Sequence, residues 1–227
     1  LGIVSGLVIW TNNGSGIFSS NATLATGSTP VSVAAADINN DGKIDLISAN
    51  AGDNTLTIMT NNGSGNFGFN ATLNVGRQPS YVIAADVNHD GKMDLICANS
   101  GTNTLTVLTN NGHGGFGLNA TCTVGNGPIW LAAADVNQDG SVDLISANYG
   151  ASTLTVLTNN GSGTFGSNAT LNVGSGPFSV VAADINGNGR PDLISANFNG
   201  NTLTVFTNNG SGSFGFNATI NGGLKPT

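Results

Sequence analysis

Four aspartates, Asp37, Asp86, Asp135 and Asp184, recur at intervals of 49 residues, and each opens a near-copy of one phrase. The phrases are DINNDGKIDLISAN, DVNHDGKMDLICAN, DVNQDGSVDLISAN and DINGNGRPDLISAN. A second phrase, TNNGSG or TNNGHG, begins at Thr11, Thr60, Thr109, Thr158 and Thr207. A third, NAT, keeps the same period at Asn21, Asn70, Asn119, Asn168 and Asn217. Repetition at this length means that each repeat is a supersecondary unit whose apolar faces are buried by its neighbours.

One unit reads as four strands. Strand A runs from Val31 to Ile38, and its alanines suit strands converging where there is little room. Strand B is Asp45 to Asn50, and strand C is Thr55 to Thr60. Alternation puts Leu56 and Ile58 on one face of strand C, with Thr55, Thr57 and Met59 on the other. The following Asn-Gly predicts a hairpin, because both residue types accept positive φ. Strand D runs from Phe67 to Val75, with Phe69, Ala71, Leu73 and Val75 expected on one face and Asn70, Thr72 and Asn74 on the other. A proline restarts the cycle at Pro30, Pro79, Pro128 and Pro177.

Four antiparallel strands in 49 residues is the size of a propeller blade; stacked β-solenoids, the alternative, usually have shorter repeats. The predicted fold class is therefore all-β, a β-propeller of about five four-stranded blades, the first carrying only strands C and D. The whole chain is expected to be one repeat domain, with a half blade at 1–27 and blades at 28–76, 77–125, 126–174 and 175–227. Pro226 aligns with Pro177, so the sequence stops where the next strand A would start. Two explanations are open: a fragment of a longer chain, or a half blade completed by something else. Completion by a neighbouring copy would cover an exposed strand edge and build a homo-oligomer or filament.

Composition narrows the function classes. The formal charge is −7 with five basic residues, too few for a phosphate-binding stripe, so nucleic acid is excluded as a partner. No apolar run is long enough for a transmembrane helix, so membrane insertion is not expected. No export signal precedes Leu1, which suggests a mature product or fragment of a secreted, extracellular or cell-surface protein. Cys97 and Cys122 replace Ser48 and Leu73 of the neighbouring repeat, on strands separated by a third. They read as free buried thiols, too far apart for a disulfide.

The acids are placed locally: Glu is absent, and of twelve Asp only Asp53 lies outside the repeated phrases. Each A–B connection spells D-x-N-x-D-G-x-x-D, with one variation. Positions one, three and five of such a loop aim side-chain oxygens at one centre, Gly at six permits the sharp turn, seven offers a backbone carbonyl, and nine closes the cage. The candidate ligands in the first loop are Asp37, Asn39, Asp41, Lys43 through its carbonyl, and Asp45. The second has Asp86, Asn88, Asp90, Lys92 and Asp94; the third has Asp135, Asn137, Asp139, Ser141 and Asp143. The fourth has Asp184, Asn186, Asn188, Arg190 and Asp192, and the neutral Asn188 predicts the weakest binding. About four structural Ca²⁺ ions are expected; Mg²⁺ is disfavoured because it demands strict octahedral geometry and keeps its waters. Asx-turn loops that merely cap strands are the competing explanation.

The D-x-N-x-D-G-x-x-D-L phrase between two strands, with F-G and a later G-x-P, resembles the FG-GAP/VCBS repeat. The resemblance spans essentially the whole chain. It implies a propeller like that of integrin α heads, many secreted microbial repeat proteins and some lectins, with Ca²⁺ held at the loop positions just named. Asn188 and the missing A and B strands of the first unit depart from the pattern. The family leaves the partner open.

No catalytic constellation is legible, so the chain is not expected to be an enzyme. His89 falls inside the second loop and His113 in a hairpin; both read as solvated bystanders. The five NAT asparagines, Asn21, Asn70, Asn119, Asn168 and Asn217, match the N-glycosylation pattern, as do Asn13, Asn62, Asn160 and Asn209 in NGS. The B–C and D–A connections share the end of the propeller opposite the acidic loops, and there the repeats differ. Tyr81, Trp130, Tyr149 and Phe198 lie in or near them and form a candidate ligand face, for stacking on sugars or anchoring a protein. The expected function is an extracellular, calcium-stabilised structural or adhesive repeat protein, open to glycosylation and to assembly through its incomplete blade. Its partners would be another protein, copies of itself, or glycans; the alternative is a carbohydrate-binding lectin using the variable face.

Overall fold

The structure is a computed structural model that describes residues 6–227. Every regular element among them is a strand. A half blade of β1 (Gly6–Asn12) and β2 (Phe18–Ala25) is followed by four whole blades. The first blade is β3 (Pro30–Ala36), β4 (Asp45–Asn50), β5 (Thr55–Asn61) and β6 (Phe67–Asn74), hydrogen-bonded in that order. The second is β7 (Pro79–Ala85), β8 (Asp94–Asn99), β9 (Thr104–Asn110) and β10 (Phe116–Thr123). The third is β11 (Pro128–Ala134), β12 (Asp143–Asn148), β13 (Thr153–Asn159) and β14 (Phe165–Asn172). The fourth is β15 (Pro177–Ala183), β16 (Asp192–Asn197), β17 (Thr202–Asn208) and β18 (Phe214–Asn221). All neighbours are antiparallel. This is the expected propeller architecture, with the first strand of each blade innermost: β3, β7, β11 and β15 pack one against the next.

Alternation along the strands gives each blade two apolar faces, and the core lies between blades. Ile47, Ala49, Leu56 and Ile58 of the first blade meet Val82, Leu95, Cys97 and Leu108 of the second. Ile96, Ala98, Leu105 and Val107 of the second then meet Leu131, Leu144 and Leu157 of the third. The pattern repeats where Ile145, Ala147, Leu154 and Val156 meet Val180, Leu193 and Phe206. Cys97 and Cys122 are free, and they face two different interfaces with β9 between their strands.

Two local expectations need correction. Phe69 does not share a face with Ala71 and Leu73. Asn70 is an extra residue between the pairs Met59↔Phe69 and Ile58↔Ala71, and this bulge turns Phe69 outward, where it is 70% exposed. The hairpin is also not a two-residue Asn-Gly turn. Asn62 N–H closes a longer loop onto the Asn66 carbonyl (3.0 Å). Only Gly63 and Gly65 take positive φ, while the Asn62 side chain accepts the Ser64 N–H (2.8 Å).

At the open end of the row, the half blade supplies only two strands against the first blade. Val33 is 51% exposed, whereas Val82, at the same repeat position, is 2% exposed. Val82→Ala should therefore cost about 2 kcal/mol in urea unfolding, and Val33→Ala should stay within about 0.5 kcal/mol of the parent. Equal costs would show that Val33 is covered in solution.

Candidate metal centre

The A–B loops are held open by their own backbone. In the first, Asp37 Oδ1 accepts the Asp41 N–H (3.2 Å) and Oδ2 the Gly42 N–H (2.8 Å). Asn39 Oδ1 also accepts the Asp41 N–H (3.1 Å), and Asp41 Oδ1 accepts the Lys43 N–H (2.9 Å). The second and third loops repeat these bonds from Asp86 and Asp135, and the fourth from Asp184. Two residues per loop take the left-handed conformation: Asn40, His89, Gln138 or Gly187 at position four, and glycine at position six. Nothing crowds a Cβ built on Gly42, so its φ of 79° is the reason glycine stands there.

The ninth position has a structural role that pattern reading missed. Asp45, Asp94, Asp143 and Asp192 are wholly buried. Asp45 Oδ2 accepts the Ile38 N–H (3.2 Å) and Oδ1 the Asn61 N–H (2.7 Å), so one carboxylate joins the A–B loop to the C–D hairpin. Asp94, Asp143 and Asp192 do the same. Burial raises the Asp94 carboxyl above its ordinary value, opposed by the N–H groups of Asn110 and Val87 and reinforced by the charges of Asp90 and Asp86. Asp143 is raised in the same way, with Asp139 and Asp135 as its acidic neighbours. Stability from such a group is complete below its unfolded pKa and is lost as pH rises through the raised folded one, so without a counter-charge both oppose folding at neutral pH. At the rim, the Ser141 N–H lowers Asp139 and the Gly189 N–H lowers Asp184. Lys43 pairs with Asp41 (3.5 Å) and Lys92 with Asp90 (3.4 Å) in partly exposed contacts that water screens.

The donor set suits calcium: positions one, three, five and nine offer side-chain oxygen, position seven a backbone carbonyl, and each carboxylate has a lone pair beyond those its N–H partners use. As the loops stand, no three Asp, His or Cys side chains among the described residues are drawn close enough to hold an ion between them. His89 is exposed, and its Nε2 lies 3.1 Å from the Gly140 carbonyl of the next loop; Gln138 reaches Gly189 in the same manner (3.3 Å).

Asparagines join the blades. Asn110, Asn159 and Asn208 donate to the carbonyls of Ile38 (2.8 Å), Val87 (2.7 Å) and Val136 (2.7 Å), each in the loop of the preceding blade. Four of the NAT asparagines, Asn21, Asn70, Asn119 and Asn168, donate Nδ2–H to Gly65, Gly114, Gly163 and Gly212 in the hairpin of the following blade. The amide nitrogen a glycan would occupy thus already carries a contact between blades. Their exact 49-residue spacing was the available signal; composition hid it among many other asparagines. Asn13, Asn62, Asn160 and Asn209 sit on exposed hairpin tips.

At the opposite end, Tyr81 and Trp130 stack on each other (centroids 4.3 Å apart), half-buried against two successive interfaces. Tyr149 Oη accepts a bond from Asn199 (2.9 Å), and Phe198 lies between Phe178 (5.6 Å) and the Lys225 ammonium (5.2 Å). A cavity of about 540 Å³ opens here, lined by Val31, Gln78, Ser80, Ser100, Ile129 and Phe178 among others. The four expected aromatics are not among its lining residues. Instead, the residue just after each strand-A proline faces the cavity, and the next one, Tyr81 or Trp130, turns between blades.

Blades of this topology with repeated acidic loops define a repeat propeller, and comparison with known proteins gives its family. The FG-GAP-like repeat matches at residues 5–48, 37–97, 86–146, 135–195 and 184–227, and the chain belongs to that family. No curated protein sequence matches it. Among solved structures it is similar to a putative 6-phosphogluconolactonase from Bacteroides fragilis (15% identity, TM-score 0.77, 97% of this chain and 66% of that one). It is also similar to the periplasmic gluconolactonase of Pseudomonas aeruginosa (14%, TM-score 0.74, 98% and 65%). A third is an Agrocybe aegerita lectin that recognises non-reducing terminal N-acetylglucosamine (22%, TM-score 0.59, 94% and 60%). The chain spans less than two thirds of the length of each, and at these identities the likeness shows the fold alone.

Asn159→Ala should destabilise by about 1–3 kcal/mol in urea unfolding, because the buried Val87 carbonyl loses its donor. Asn160→Ala, one residue along on the exposed tip, should cost less than about 1 kcal/mol. Equal effects would remove the contact between blades as the cause.

Proposed function

We propose that this FG-GAP-like repeat protein is a non-catalytic extracellular scaffold whose A–B loops bind about four Ca²⁺ ions as structural clamps. The observation that carries the reading is the coincidence, in each repeat, of an all-oxygen loop with a buried aspartate tied to the next hairpin. A cation beside Asp94 would offset the charges of Asp86 and Asp90 that now oppose its ionisation. Asp37, Asn39, Asp41, the Lys43 carbonyl and Asp45 would hold the first ion, with the corresponding residues in the other loops. Bound calcium supplies only positive charge and coordination; the chain's own residues fix the loop, exclude water from the ninth position and transmit the restraint to the hairpin. The absence of a catalytic role is inferred from the same pattern, since every cluster of acids belongs to a repeated loop. The lactonase neighbours share the fold at identities too low to carry an activity.

A second reading, glycan binding, is favoured by the cavity at the variable end and by the lectin among the structural neighbours. Phe178 and Ile129 supply apolar surface there, and Gln78, Ser80 and Ser100 supply polar groups, a mixture suited to a sugar ring. The reading predicts that Phe178→Ala abolishes binding on a glycan array, and a parent protein that binds no sugar would dismiss it.

For the calcium reading, chelation should lower the melting temperature, and Ca²⁺ but not Mg²⁺ should restore it. A ligand at about 100 times its Kd contributes about 2.7 kcal/mol per site. Titration calorimetry should show Asn188→Asp tightening the weakest site. Melting unchanged by chelation, with no calcium bound by elemental analysis, would refute the clamps.

A further inference from the structure

Three of the four A–B loops carry Asp-Gly at positions five and six: Asp41-Gly42, Asp90-Gly91 and Asp139-Gly140. The fourth carries Asn188-Gly189 there. In an Asn-Gly pair the glycine nitrogen can attack the side-chain amide carbon of the asparagine, because no Cβ on the glycine obstructs the approach. The position-three asparagines of the first three loops, Asn39, Asn88 and Asn137, are instead followed by Asn40, His89 and Gln138, whose side chains hinder ring closure.

The fourth loop arranges two groups around this pair. Asp184 Oδ2 accepts the Gly189 N–H at 2.7 Å, so a carboxylate stands at the proton that has to leave. Asn188 Oδ1 accepts the Arg190 N–H at 2.9 Å. That bond folds the asparagine side chain back over the Gly189 peptide, and it gives a donor to the oxygen on which charge develops. The Asn-Gly pairs at the hairpin tips lack the carboxylate. There the N–H groups of Gly63 and Gly161 go to the amide oxygens of Asn61 (2.9 Å) and Asn159 (3.1 Å), which are far weaker proton acceptors. Asn188 and Gly189 are exposed, as positions five and six are in all four loops, so water reaches them wherever the row of blades stops.

We propose that Asn188 is a site of self-catalysed deamidation, which converts the fourth loop to the acidic pattern of the other three. The Gly189 nitrogen gives its proton to Asp184 Oδ2 and bonds to Asn188 Cγ. The bond between Cγ and Nδ2 then breaks, and Nδ2 leaves as ammonia, carrying the proton from Asp184. One water opens the cyclic imide that remains. Opening at Cγ gives aspartate in an unaltered main chain, and opening at the main-chain carbonyl gives isoaspartate. The net change is one water in and one ammonia out, with no oxidant or reductant. The aspartate product stands at a ligand position, so the inference deepens the clamp reading: the site that is weakest in the fresh chain tightens with age.

The test is peptide mapping by mass spectrometry of the 227-residue chain, aged in a calcium chelator below the melting transition measured in that chelator. Asn62-Gly63 and Asn160-Gly161 serve as references within the same molecule. Asn188 should deamidate about tenfold faster than either, or more, with aspartate among its products. Urea should remove the advantage, because all three pairs then have the same chemistry. Asp184→Asn should remove it without urea, and the comparison in urea stands on its own if that variant does not fold. An Asn188 no faster than the references overturns the proposal. So does an advantage that survives urea or the Asp184→Asn substitution in folded protein, or a product that is isoaspartate alone. The rate is read without calcium, so failure here leaves the clamps standing, and a chain that binds no calcium can still deamidate.

Discussion

The buried carboxylate at the ninth loop position is the contact on which each repeat depends. Asp45 and its equivalents lie out of water, and their two oxygens take N–H groups from two different connections. A buried anion is tolerated only when it is fully hydrogen-bonded or paired with opposite charge. Backbone donors meet the first condition. In the second and third loops two further aspartates work against the second, which is why the loop chemistry and the fold cannot be separated there. A cation there would turn an unfavourable cluster into a brace between loop and hairpin.

The same carboxylate also positions the joints between blades. With Asp94 holding the Asn110 N–H, the Asn110 side chain donates to Ile38 of the blade before. Below it, the leucines, isoleucines and valines of facing sheets supply the apolar contact. Stability in such an arrangement is close to a sum over repeats and their nearest-neighbour interfaces.

Much of this was legible in the sequence because a strict period carries the information. The limits of strand B, Asp45 to Asn50, and the alternation of strand C match the structure residue for residue. What could not be read were features that break the period of two. The bulge at Asn70 reverses Phe69, and another between Pro79 and Tyr81 sends Ser80 to the cavity and Tyr81 between blades. A bulge leaves no composition signal, because its extra residue is polar at Asn70 and Ser80 but apolar at Ile129 and Phe178. The contacts made by asparagine escaped for another reason. NAT reads equally well as a glycosylation signal, and only the placement of the next blade shows where its amide goes.

The central claim is that the acidic loops are calcium clamps, and anomalous diffraction from crystals grown with calcium tests it most directly. The account predicts a peak in each loop, about 2.3–2.6 Å from the oxygens of positions one, three, five and nine and from the carbonyl of position seven. The peak in the loop of Asn188 should be the weakest. Loops that keep only their backbone hydrogen bonds, with no anomalous signal at saturating calcium, would contradict it.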